Sequence, residues 1–295
     1  MSSVVYIDGE LVPAGEAKVS VYDHGLLYGD GVFEGIRAYN GRVFRLQEHL
    51  DRLYASARGI QLGIPLSMSE MESAVLRTIA ANGLTDAYVR LVVTRGIGDL
   101  GLDPRKCGAP TVFIIASTIQ LYPVEVYRAG LRLITCRTVR TPPSSLDPSV
   151  KSLNYLNNIL AKLEVAQAGA DEGIMLNQEG YVAECTADNL FLVRAGEVVT
   201  PSPEAGMLIG VTRNAVIEVA RAAGYVLREA LFRLGEVLTA DECFLTGTGA
   251  EIAPVREVDG QAIGSGKPGP ITNELHAAFQ ELTARDGTPI EAGSR

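Results

Sequence analysis

The chain has 295 residues, enough for two compact domains with separate cores. At 47% hydrophobic and 21% charged it reads as an ordinary globular protein. Its net charge of −9 argues against general binding to nucleic acid or an anionic membrane, since both need basic surface. Cys107, Cys136, Cys185 and Cys243 form no CxxC pair, and His24, His49 and His276 are equally dispersed. We therefore expect no metal site and reduced thiols in a cytoplasm. The first residues lack a basic segment followed by an apolar run, and no stretch approaches 18 apolar residues. Neither a signal peptide nor a membrane span is expected.

In chain order, Val4–Ile7 and Leu11-Val12 flank the turn signal Asp8-Gly9, and a second hairpin turns at Asn40-Gly41 between strands 32–39 and 42–45. Residues 46–58 carry a helical stripe of Leu46, Leu50, Leu53 and Ala57. Ser67-Met-Ser-Glu70 is a capping-box pattern opening a helix that stops near Asn82-Gly83. Strands follow at 88–94 and 111–116, around a glycine-rich loop at 96–104 that we read as a pocket entrance or interface. The pattern weakens from 118 to 130. We expect an N-terminal α/β domain over 1–120, an interdomain loop over 121–130 and a C-terminal α/β domain over 131–295.

The second domain starts with a strand near 131–139 and a proline-serine loop at 141–149. Next comes a helix bearing Lys151, with Leu153, Leu156, Leu160 and Leu163 on its apolar side and Gly169 after its end. Strands are expected at 173–176, 181–185, 189–194, 225–229 and 242–246. Helices are expected from Thr212 to Gly224 and near 270–284.

Few side chains here suit covalent chemistry. Lys151 is one of five lysines, and a lysine held in an interior can lose its proton and attack a carbonyl. On spacing alone, a solvated lysine at a helix start is the commoner case. Tyr155, four residues on, would share its helix face. Glu184 lies between two apolar runs, where an unpaired carboxylate is costly to bury; a strand-end glutamate in water is the alternative. Gly210-Val-Thr-Arg opens a helix and Gly247-Thr-Gly-Ala250 follows a strand, so both suit an anion, although either can be a plain turn. Arg52 is a candidate fixed cation for a phosphate, or a surface arginine. No P-loop, no GxGxxG after a strand and no GxSxG is present.

Taken together, Asp23-His-Gly-Leu-Leu-Tyr-Gly-Asp-Gly-Val-Phe-Glu-Gly-Ile-Arg37, His49-Leu-Asp-Arg-Leu53, Tyr88-Val-Arg90, Lys151-Ser-Leu-Asn-Tyr155, Glu184, Gly210-Val-Thr-Arg213 and Thr246-Gly-Thr-Gly-Ala-Glu-Ile252 run in an order we can place. The chain closely resembles the fold-type IV (class IV) aminotransferases, and among them the branched-chain amino acid aminotransferases, from about residue 4 to 284. The resemblance implies a mixed α/β (α+β) fold of two domains with the active site between them, pyridoxal 5′-phosphate as cofactor and a homodimer or larger homo-oligomer. It implies Lys151 as the Schiff-base lysine and Arg52 as the phosphate arginine. Tyr155 falls near the ring oxygen, Glu184 faces the pyridine nitrogen and Leu208 packs on the ring. Val211, Thr212 and Thr248 would hold the phosphate. Tyr28, Phe33, Tyr88 and Arg90 would line the substrate pocket, and Thr248-Gly249-Ala250 would receive the α-carboxylate. Tyr28 and the loop near Leu102 would reach the neighbouring subunit's site.

The chain departs from the family pattern at Cys185, Ile209 and Gly249, none of which removes a chemical group. The implied reaction moves an amino group from leucine, isoleucine or valine to 2-oxoglutarate. A D-amino acid aminotransferase, an (R)-amine transaminase and aminodeoxychorismate lyase share the fold and remain alternatives. A non-catalytic binding protein would have no need to keep all these residue types.

Overall fold

The computed structural model describes residues 3–119 and 121–290. They divide into two compact units. The first contains 3–119, 150–154 and 283–290; the second contains 121–149 and 155–282.

In the first unit, β1 (Val4–Ile7) and β2 (Glu10–Pro13) form the expected hairpin. There follow α1 (His24–Tyr28), β3 (Gly31–Tyr39), β4 (Arg42–Val43), α2 (Leu46–Gly59), α3 (Met68–Ala81), β5 (Ala87–Thr94) and β6 (Thr111–Ser117). The predicted capping box on α3 is present: Ser67 accepts from the Glu70 amide, and Glu70 accepts from the Ser67 amide. The strands pair antiparallel in the order β4-β3-β5-β6-β1-β2, and the short strand Thr288–Pro289 extends the β4 edge.

Strand alternation sorts core from chemistry. Val32, Ile36 and Ala38 of β3 and Val89, Leu91 and Val93 of β5 join Leu46, Leu50 and Leu53 of α2 and Val75 and Ile79 of α3 in one buried cluster. Each such aliphatic side chain contributes about 1.5–3 kcal/mol on burial. Phe33 and Gly35 of β3, with Tyr88 and Arg90 of β5, fall on the other face. Glu34 is on the core face, which is unusual for a carboxylate.

The first half of β3 has β5 on one side only. The segment 150–154 takes the other: the Phe33 amide donates to the Lys151 carbonyl (3.1 Å), and the Leu153 amide donates to the Gly31 carbonyl (2.9 Å). Lys151 therefore lies outside any helix, at the centre of a tight turn in which the Ser152 amide donates to the Val150 carbonyl (2.9 Å), and α5 starts only at Leu156. It groups with the first unit, where the sequence had assigned it to the C-terminal domain. The region 121–149, expected in part as an interdomain loop, groups with the second unit.

That unit contains α4 (Val124–Ala129), β7 (Leu131–Thr135), α5 (Leu156–Ala168), β8 (Glu172–Leu176), β9 (Val182–Cys185), β10 (Asn189–Arg194), β11 (Glu197–Pro201), α6 (Val211–Ala222), β12 (Leu227–Ala230), α7 (Leu234–Leu238), β13 (Glu242–Gly247), β14 (Glu251–Val258), β15 (Gln261–Ala262) and most of α8 (Pro270–Arg285). Its sheet runs β12-β11-β10-β13-β14-β7-β8-β9, with β15 on β14. The β11/β12, β14/β7 and β7/β8 pairs are parallel and the others antiparallel. Leu131, Leu133, Leu190, Leu245, Val255 and Phe232 lie in its main core.

The expected leucine stripe does not face this core. On α5, Leu156, Leu160 and Leu163 are exposed, and Asn158, Ala161 and Val165 are buried instead. Polar anchors set that rotation. Asn158 donates to the Thr186 carbonyl (2.8 Å), Lys162 pairs with buried Glu172 (2.7 Å), and Glu164 accepts from Thr138 (2.6 Å). Among the described residues, no helix is long and apolar enough to cross a membrane.

Candidate active site

In the first unit, the site is built around Phe33. The Lys151 Nζ stands 4.6 Å from the Phe33 ring centroid, and the Arg90 guanidinium carbon stands 4.6 Å from the same centroid. Lys151 is pinned on both sides of its peptide, since its amide donates to the Oγ of buried Ser56 (3.0 Å) and its carbonyl accepts from Phe33. Arg90 Nη2 donates to the Tyr88 hydroxyl (3.1 Å). Gly35, opposite Arg90 in the β3/β5 register, lets the Tyr88 ring lie across the strand: a Cβ there would come 2.4 Å from the hydroxyl.

Arg52 is fixed by a carboxylate. Its Nε donates to Glu34 Oε1 (2.7 Å), its Nη2 to Oε2 (2.8 Å), and His49 Nδ1 lies 2.8 Å from Oε2. A carboxylate only accepts, so His49 carries its proton on Nδ1. Burial works against the Glu34 charge, but Arg52 and His49 outweigh it and hold the carboxyl well below the usual range. Burial pushes His49 down, helped by Arg52 and Lys151 and opposed by Glu34.

Tyr28 is anchored to the loop that carries Leu102. The Tyr28 hydroxyl at the end of α1 donates to the Leu100 carbonyl (2.6 Å), and His24 Nε2 lies 2.8 Å from the Asp99 carbonyl. Ile97, Leu100 and Leu102 are exposed on that loop.

In the second unit, Glu184 of β9 is buried and neutralised. Arg140 Nε donates to its Oε1 (2.6 Å), and the Leu208 amide donates to its Oε2 (3.1 Å). Leu208 is held from the other side as well, because Asn189 Nδ2 donates to its carbonyl (2.8 Å). Two residues on, Gly210 is the N-cap of α6 and contributes no side-chain cap; a Cβ there would meet Asn189 Oδ1 at 2.2 Å. Val211 and Thr212, both buried, form the first turn beneath an uncapped positive helix end. Thr248, Gly249 and Ala250 make the turn joining β13 to β14. Tyr155 sits at the N-cap of α5 and Lys151 precedes the helix, so the expected shared helix face is not formed.

The sequence missed Glu34, His49, Ser56 and Arg140. Glu34 left a signal, a carboxylate at a core-facing position of an apolar strand. Arg140, between the expected strand and the proline-serine loop, left none.

A lysine pinned beside an aromatic wall in the first unit, and an uncapped helix end beside a neutralised carboxylate in the second, are features suited to group-transfer chemistry. The model of amino-transferase class IV matches residues 31–258, and the chain belongs to that family. It is 50% identical over 286 residues to a Methanocaldococcus jannaschii protein provisionally named a branched-chain-amino-acid aminotransferase, covering 97% of this chain and 98% of that one. A Pseudomonas aeruginosa branched-chain-amino-acid aminotransferase is 40% identical over 288 residues, covering 95% and 93%. The solved branched-chain amino acid aminotransferase of Thermobaculum terrenum, in its PLP-bound holo form, superposes with a TM-score of 0.90 at 30% identity, covering 98% and 99%.

Proposed function

We propose that this protein is a pyridoxal 5′-phosphate-dependent transaminase of branched-chain L-amino acids, with 2-oxoglutarate as the amino acceptor. The observation that carries the substrate reading is Phe33, an apolar wall with the Lys151 amine and the Arg90 guanidinium each 4.6 Å from its centroid. Such a wall accepts an aliphatic side chain, and the cation beside it accepts the second carboxylate of glutamate.

The residues fit the cofactor. The uncapped end of α6 suits a phosphate, and Arg52, its fork held by Glu34, supplies a fixed cation. Glu184, its charge held by Arg140, suits a protonated ring nitrogen. When bound, the cofactor's pyridinium withdraws electrons from the substrate's Cα and makes its proton removable. Lys151 would hold the cofactor through Nζ and, once released, would be the group that moves the substrate's Cα proton. Val211, Thr212, Thr248 and Arg52 would hold the phosphate, Leu208 would pack on the ring and Tyr155 would serve its ring oxygen. Tyr28, Phe33, Tyr88 and Arg90 line the substrate pocket, and Thr248-Gly249-Ala250 receives the α-carboxylate.

The working form is a homodimer in which Tyr28 and Leu102 serve the neighbouring subunit. In support, the loop anchored by Tyr28 carries exposed Ile97, Leu100 and Leu102 beside exposed Tyr22 and Leu26 of the same unit. Four free thiols support a cytoplasmic location. The decisive experiment compares rates for L-leucine, D-alanine and (R)-phenylethylamine with 2-oxoglutarate. L-Leucine should lead, and dominant D-alanine turnover would overturn the substrate assignment.

A further inference from the structure

We infer that Glu34 is a positioning residue for phosphate recognition, acting through Arg52. This rests on the cofactor reading above and goes beyond it, because Glu34 itself meets no ligand. The residue is fully buried on the helix side of β3, where its neighbours in the strand, Val32 and Ile36, are core residues. An aliphatic side chain there would serve the fold at least as well, since a buried ion pair is seldom more stabilising than a well-packed apolar replacement. The carboxylate grips Nε and Nη2 of Arg52 at 2.7 and 2.8 Å, and His49 Nδ1 steadies one of its oxygens at 2.8 Å.

A forked pair of this kind fixes the plane of the guanidinium as well as its place. His49, Arg52 and Ser56 lie three and four residues apart along α2, so one helix face carries the Glu34 partner, the phosphate arginine and the anchor of the Lys151 amide. Glu34 thus keeps Arg52 aimed before any ligand arrives. Its charge also partly offsets that of Arg52, so two effects of opposite sign compete on removal. With Gln at position 34, one amide N–H would confront donors of Arg52 or His49, and the fork would be lost. We expect the loss of aim to win, by about two- to tenfold in phosphate-dependent affinity.

The test titrates the full chain, stripped of cofactor, with pyridoxal 5′-phosphate and with unphosphorylated pyridoxal. Glu34→Gln should weaken the phosphate ester about two- to tenfold and leave pyridoxal unchanged. Adding Glu34→Gln to Arg52→Gln should produce no further loss. Should Glu34→Gln fail to fold, Arg52→Lys keeps the charge without the fork and should show the same selective loss. Equal weakening of both ligands would indicate a structural role only and overturn the inference, as would tighter phosphate binding or an undiminished preference in Arg52→Lys. A wild type that prefers neither ligand would instead sink the cofactor reading, and this inference with it.

Discussion

Gly35→Ala tests whether the Tyr88–Arg90 pair sets recognition of the acceptor. The new Cβ would stand 2.4 Å from the Tyr88 hydroxyl, whereas ordinary contact begins at 3.4 Å, so the hydroxyl must retreat by 3.4 − 2.4 = 1.0 Å. The Arg90–Tyr88 hydrogen bond is already 3.1 Å long and cannot survive that displacement unless Arg90 follows. A hydrogen bond to a charged group contributes about 1.5–3 kcal/mol. Arg90 is half-buried and can follow part of the way, so we take the lower end, which corresponds to about tenfold in binding. Folding should change little, by less than about 1 kcal/mol, because the clash is with the tip of a side chain and the Gly35 backbone is an ordinary strand. In steady-state kinetics, KM for 2-oxoglutarate should rise about tenfold, and KM for L-leucine should rise less than about threefold. An equal change in both constants, or none in either, would refute the assignment of Tyr88 and Arg90 to the second carboxylate.

Acidification should destabilise the first unit in two steps. Burial holds the folded pKa of His49 below its ordinary 6.5, so beneath that pH the unfolded chain binds the extra proton and stability falls. Glu34 is held below its ordinary 4.5, so a further loss follows as pH drops through that value. Melting temperature should therefore decline from pH 7.5 to 4, and His49→Asn should flatten the decline above pH 5. A melting temperature that rises between pH 7 and 5.5 would contradict this. Leu100 and Leu102 are 70% and 77% exposed, so Leu100→Asp with Leu102→Asp should spare the fold and convert a sedimenting dimer to monomer. A wild type already monomeric at micromolar concentration would overturn the homodimer proposal.

Local rules carried much of the fold. Turn chemistry located the Asp8-Gly9 and Asn40-Gly41 hairpins, and the capping box located α3. Phe33, Tyr88 and Arg90 came from the family resemblance; alternation in β3 and β5 sets them opposite the core in the folded chain. What failed was decided by tertiary contacts. β14, central to the second sheet, was hidden by Pro254 within its run and by its start directly after the 248–250 turn. α4 is one short helix after Pro123, with no stripe to read. The α5 leucines advertised a buried face, but Asn158, Lys162 and Glu164 found polar partners on the sheet side and turned those leucines out. Lys151 looked helical because a helix does follow; hydrogen bonds to Phe33 and Ser56 hold it in the connecting segment instead. The site was read mainly from motif order, so it named the residues proposed to touch ligand. Glu34 and Arg140, which hold those residues in place, are visible only when their partners are.

We propose above all that Lys151 Nζ is the covalent anchor of the cofactor. Borohydride reduction of the purified, cofactor-loaded protein, followed by peptide mass spectrometry, reads that bond directly. We predict a phosphopyridoxyl mass on the peptide containing Lys151 and its absence in Lys151→Ala. A label on Lys18, Lys106, Lys162 or Lys267 instead, or on no lysine, would contradict the account.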